Sequence, residues 1–122
     1  MKRDMNLIRE ILLALEAESS GFAPEHLEIE GYTNEQVGYH TLLLLEAGFV
    51  DGQKVHTFDS DSPSAVATRI TWKGYEFLGE ARDKNRWKEA LRIAQEKGGG
   101  AVSIGILTQV LSALAKQSLG LN

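Results

Sequence analysis

The sequence predicts an α+β fold: a helix, a short strand, a second helix, a β-hairpin and a third helix, with one more helix at the C-terminus. Three observations carry this prediction. Apolar residues recur at helical spacing over 4–18, 33–47 and 102–119. Apolar and polar residues alternate over 26–32 and 65–72. Helix caps and glycines fall between these stretches.

Leu7, Ile8, Ile11, Leu12 and Leu15 form the stripe of the first helix, with Asp4 placed as its N-cap. Ser19-Ser20-Gly21 ends it, and Pro24 keeps the next turn irregular. From His26 to Tyr32, Leu27 and Ile29 alternate with Glu28 and Glu30, as in a strand with one solvated side. Thr33 and Gln36 make a capping box for a helix that Gly48 stops. Asp51-Gly52 signals a turn or bulge. Val55–Phe58 and Ala65–Trp72 then form the hairpin, with a polar loop over Asp59–Ser64. Thr71 is placed to cap the next helix, whose inner face is Gly74, Phe77, Leu78 and Ala81. The later stripe of Trp87, Leu91 and Ala94 is out of phase with Leu78, so the segment breaks or changes partner near Asp83–Asn85. The aromatics Phe49, Trp72, Tyr75, Phe77 and Trp87 read as core. Gly98-Gly99-Gly100 reads as a flexible joint, dividing a domain at 1–97 from a C-terminal element at 98–122. No internal repeat is visible.

Composition narrows the function classes. With no cysteine there is no disulfide framework, thiolate catalysis or cysteine-ligated zinc. The start carries acidic residues through its apolar positions, unlike a signal peptide, so a cytoplasmic protein is expected. The uncharged run from Gly98 to Ala115 contains glycines and hydroxyls that argue against a bilayer span. The net charge is −4, and it is uneven. Residues 1–72 are acidic, whereas Arg82, Lys84, Arg86, Lys88, Arg92 and Lys97 form a basic cluster interleaved with carboxylates. Such a cluster reads first as a solvated helix face.

The stretch LLLLEAGFVDG, followed by ITWKGYEFL, resembles the second half of a winged helix-turn-helix domain. There a glycine-stopped helix feeds a hairpin, and a Thr-x-x-Gly turn starts the next helix. Over nearly the whole chain, MKRDMNLIREILLALE, GYTNEQVGYHTLLLLEAGFVDG and ITWKGYEFLGEARDKNRWKEA resemble a domain-of-unknown-function family of bacteria and their phages. Its members share M-K-R-D-M-[DN]-L, G-Y-x-x-E-x-[IV]-x-Y-H and L-T-W-x-G-H-[DE]-F-L. Tyr75 stands where that family usually has histidine. The resemblance implies a small phage- or prophage-linked protein with a winged-helix-like core, and no assigned activity. The chain departs from a winged helix-turn-helix between Ser19 and Thr33, where a positioning helix hardly fits.

If the domain reads DNA, the helix from Asn34 to Glu46 enters the major groove. Asn34, Gln36, Tyr39 and His40 are then the contact candidates, with Lys54, Arg69 and Lys73 at the flanks of the wing. Against this, the helix has no Lys or Arg, and the wing tip Asp59-Ser60-Asp61-Ser62 is acidic. His40 has a second reading, as a histidine satisfied by backbone groups. The apolar stripe of Ile106, Leu107, Val110, Leu111 and Leu114 is expected to pair two copies into a homodimer.

No metal site, cofactor or catalytic residue is expected. His26, His40 and His56 lack metal-ligand spacing, and Asp59-x-Asp61 lacks the rest of a calcium loop. Gly98-Gly99-Gly100-Ala101-Val102 has no phosphate-loop lysine, and Ala101-Val102-Ser103-Ile104-Gly105 is an incomplete nucleophile elbow. Two readings of function follow. The first is a dimeric winged-helix transcriptional regulator that binds double-stranded DNA. The alternative is a protein-interaction module or adaptor on the same fold without DNA binding.

Overall fold

The computed structural model describes residues 1–24, 26–56, 62–99 and 102–121. Its helices are α1 (Met5–Glu16), α2 (Asn34–Ala47), α3 (Trp72–Ala81), α4 (Lys84–Lys97) and α5 (Ile104–Ser118), and its strands are β1 (Val50–Val55) and β2 (Ser64–Ile70). This is a mixed α+β fold with a winged-helix-like arrangement of α1, α2 and the hairpin. The packing divides at Glu76/Phe77, within α3, into units Met1–Glu76 and Phe77–Asn122, whereas the sequence places its division at Gly98.

In the first unit the predicted caps form. Asp4 Oδ1 accepts the N–H groups of Asn6 (2.9 Å) and Leu7 (3.2 Å), satisfying two of the orphan donors at the start of α1. Leu7, Ile8, Ile11, Leu12 and Leu15 are buried, as their spacing requires. Thr33 and Gln36 close both halves of the capping box on α2. Gly48 ends that helix at φ +80°, a left-handed conformation that glycine reaches at no steric cost. The N–H of Thr71 donates to Phe49 O (3.0 Å). The Thr71 hydroxyl donates to Gly48 O (2.5 Å) and accepts from Gly74 N (3.1 Å), so the start of α3 is bolted to the end of α2. Gly74 lies so close to Phe49 that a Cβ there would collide with the Phe49 carbonyl oxygen.

The hairpin keeps the bulge signalled at Asp51-Gly52 and corrects the first strand, which runs over Val50–Val55 and not from Val55 to Phe58; Thr57 and Phe58 lie outside the described residues. β1 and β2 are antiparallel, pairing Val50 with Ile70 and Asp51 with Arg69, then Gly52 with Ala67. Thr68 is therefore the extra residue of a bulge, and Asp51-Gly52 lies inside a strand opposite it. The bulge switches the buried face. Ala65 and Ala67 are buried before it and Ile70 after it, while Val66 is 48% exposed. Trp72 is no longer in the strand. It opens α3 and is 81% exposed, with Tyr75 47% exposed, so neither belongs to the core.

The strand expected over 26–32 is not formed, nor does a positioning helix precede α2 among the described residues. Leu27 and Ile29 are half-buried and Glu28 and Glu30 exposed, so the alternation reports burial alone. A strand also needs a ladder. The described segment before α2 gives β2 one backbone hydrogen bond, from Ala23 N to Thr68 O (2.8 Å), and then turns at Ile29–Tyr32.

In the second unit the out-of-phase stripe resolves as a break. α3 ends at Ala81, and Asp83 caps α4 through Arg86 N (2.8 Å). Trp87, Ala90 and Ala94 are buried, and the ring of Phe77 meets that of Trp87 edge-on at 6.2 Å. α5 packs against α4 with Leu107 and Leu111 fully buried.

Candidate functional site

The polar residues at the start of α2 are positioned by the capping box and then turned inward. Gln36 holds Thr33 N through its Oε1 (2.9 Å), and its carbonyl faces His40 Nδ1 (2.8 Å). His40 is 1% exposed, and its Nε2 accepts the backbone N–H of Asp4 (2.8 Å). An acceptor Nε2 leaves the ring proton on Nδ1, which donates to Gln36 O. Tyr32 donates its hydroxyl to Asp4 Oδ2 (3.2 Å). One network thus joins Asp4, Tyr32, Thr33, Gln36 and His40, tying the first turn of α1 to the first two turns of α2. Burial, and then the Asp4 carboxylate, raise the Tyr32 phenol above its ordinary range.

This geometry matches the second reading of His40, a histidine satisfied by backbone groups. A ring buried to this degree and bonded at both nitrogens offers nothing to a DNA groove. Gln36 is half-buried, with its amide oxygen committed to the cap. Asn34 is exposed, and Tyr39 is half-buried with its ring 6.1 Å from that of His40. Lys54 is exposed on β1. Arg69 is paired with Asp51 (2.9 Å) and donates to Ile70 O, and Lys73 lies 5.5 Å above the Phe49 ring. Gln36 and His40 are brought together as part of the fastening, with the Tyr39 ring beside that of His40. Arg69 and Lys73 sit at the base of the hairpin, and Lys54 lies toward its other end. Asp59–Asp61 of the wing tip, and Gly100 and Ala101 of the two glycine-containing motifs, lie outside the described residues.

The stripe of α5 is divided in the same way. Leu107 and Leu111 are consumed within the second unit and are not offered to another chain. Ile106 is 39% exposed, and Val110 and Leu114 are half-buried.

Two features were missed from sequence. Asp4 and Tyr32 belong to the network, and their pairing links positions 28 residues apart. The second feature is a groove of about 190 Å³ in the first unit, between β2, α2 and the segment around Pro24. Leu15, Leu27, Val37 and Ala65 are among its walls, with Asn34 and Ser64 also lining it. Gly38 lets α2 approach here, since a Cβ would run into the Ser64 side chain. Among the described residues, no three His, Asp or Glu side chains converge as a metal ion would require. No described helix is long and apolar enough to cross a membrane.

The chain is 32% identical to an uncharacterised protein of Haemophilus influenzae, over 98% of this chain and 99% of that one. No solved structure matches it. The stretches that meet in the network, around Asp4 and from Gly31 to His40, both lie inside the region matched by one family model. Over residues 2–100 the chain matches the model of the hypothetical-protein family DUF2513, and it belongs to that family.

Proposed function

We propose that this chain is a protein-interaction module on a winged-helix scaffold, acting through the acidic surface of its first unit. One observation carries the reading. From residue 10 to residue 53 the sequence has nine carboxylates and no Lys or Arg. The helix that would enter a DNA groove lies inside this stretch, with Glu35 and Glu46 exposed. Phosphate contacts supply most non-specific DNA affinity, and this stretch has no Lys or Arg to make them. It is suited instead to a positively charged partner. A binding role in a bacterial cytoplasm, in a phage or prophage setting, fits the family resemblance.

The regulator reading has one support, the winged-helix order of α1, α2 and the hairpin, with Lys54 and Lys73 exposed beside it. Homodimerisation belongs to that reading and would have to use Ile106, Val110 and Leu114. Fluorescence anisotropy of labelled duplex from the protein's own upstream region, beside random duplex, separates the two across a salt series. The interaction module shows no binding at moderate salt. Salt-sensitive binding that prefers the upstream duplex, and weakens in Gln36→Ala or Tyr39→Ala, would overturn it.

A further inference from the structure

We infer that the exposed Trp72 ring and the Glu76 carboxylate together receive an arginine side chain of a partner protein. The inference rests on the interaction reading above and names the side chain by which a positively charged partner is held. Trp72 and Glu76 lie one helical turn apart at the start of α3, and the indole Nε1 donates to Glu76 Oε1 (3.1 Å). That bond fixes the carboxylate at the edge of the ring. Trp72 is 81% exposed and Tyr75, three residues on, is 47% exposed, so two aromatic side chains stand in solvent on this turn. An aromatic ring normally serves its own chain by burying area. Among the described residues, the Trp72 ring meets no other ring and no cation, and the carboxylate of Glu76 makes no bond beyond the one to the indole.

The chemistry of the pair selects the occupant. The face of an indole carries negative potential and attracts a cation. Its one polar hydrogen is already given to Glu76, so the ring has no donor left for a phosphate or a carbonyl. The carboxylate beside it repels an anion and attracts a cation. Nearby cations of the first unit are held elsewhere: Arg69 by Asp51 (2.9 Å), and Lys73 at 5.5 Å above the Phe49 ring. Of the two cationic side chains a partner can offer, the guanidinium is planar. It stacks on the indole while giving N–H groups to the carboxylate, where an ammonium acts as a point charge.

The test uses the full ¹⁵N-labelled chain and glycine–serine heptapeptides, blocked at both ends, whose central residue is arginine, lysine or citrulline. Citrulline keeps the shape of arginine without its charge. The arginine peptide should move the indole ¹H–¹⁵N signal of Trp72. It should bind about tenfold more tightly than the citrulline peptide and about threefold more tightly than the lysine peptide. Trp87 is 2% exposed, so its indole signal should stay in place and serves as the internal control. Glu76→Gln keeps an acceptor for the indole but loses the charge, and should weaken binding about fivefold. Trp72→Leu, read at the backbone amides of residues 72–76, should weaken it at least as much. Both side chains are exposed, so neither variant should change the circular dichroism. An unmoved Trp72 indole overturns the inference, and so does equal affinity for the citrulline peptide, which would mean contact without charge. A stronger shift of the same indole by oligothymidine would overturn it in favour of base stacking. Shifts centred on Glu28–Glu35 would also overturn it while leaving the partner on the acidic stretch. The duplex-DNA result decides the interaction reading on its own.

Discussion

Met1–Glu76 contains six basic and thirteen acidic residues, a balance of −7, whereas Phe77–Asn122 contains seven and four, a balance of +3. The first unit turns its distinctive polar side chains inward, where Asp4, Tyr32, Gln36 and His40 fasten two helix starts together. The second unit closes on apolar contacts around Trp87, Leu107 and Leu111 and leaves most of its charges outside, apart from Glu80, which accepts the Ser112 hydroxyl (2.9 Å). There Arg92 bridges Glu89 (2.6 Å) and Glu96 (2.8 Å), all three exposed. Polar residues at helical spacing can therefore be fastenings, and a basic cluster can be a solvated face. Charge pattern alone does not say which.

Substitutions sharpen this contrast, beginning with the largest effect. Trp87→Ala empties the centre of the second unit and should cost about 3–5 kcal/mol, read by urea denaturation. His40→Ala should cost about 2–4 kcal/mol, because it leaves a cavity and strips the Asp4 N–H of its acceptor. A loss under about 0.5 kcal/mol would break the comparison, since surface substitutions behave that way. Asp4→Ala removes the cap of α1 and should cost about 1–2 kcal/mol.

Tyr32 gives a smaller effect with a signature in pH. Its phenol is raised in the folded chain, so the unfolded chain releases its proton first. The contribution is complete below about pH 10 and is lost as pH rises through the folded value. Thermal melts through that range should show a fall in wild type that Tyr32→Phe removes. Arg92→Ala should leave the melting temperature unchanged, because its partners are solvated.

Local chemistry was legible in the sequence. The Asp4 and Thr33 caps, the glycine stop at Gly48, the Thr71 turn and the break before Asp83 all depend on residues a few positions apart. What was not legible depends on distant partners. His40 finds its acceptor role at Asp4, 36 residues away, so its spacing on α2 cannot show that it is consumed. The bulge signalled at Asp51-Gly52 sets its extra residue at Thr68 through pairing with β1, and the reversal of which residues of β2 are buried follows from that pairing. Residues 26–32 have the alternation of a strand, but the ladder that would make them one does not form. Unbroken strand alternation over 65–72 puts Val66 and Trp72 on the face of Ile70, and both are exposed because the pattern does not survive the bulge and the helix start.

The central claim is that the polar start of α2 holds the fold together and does not read nucleic acid. A long-range ¹H–¹⁵N spectrum of histidine-labelled protein, recorded with and without duplex DNA, tests it most directly. The account predicts a His40 ring protonated at Nδ1, slow to exchange with water and unmoved by DNA. A ring averaging between tautomers, open to solvent and shifted by the duplex, would contradict it.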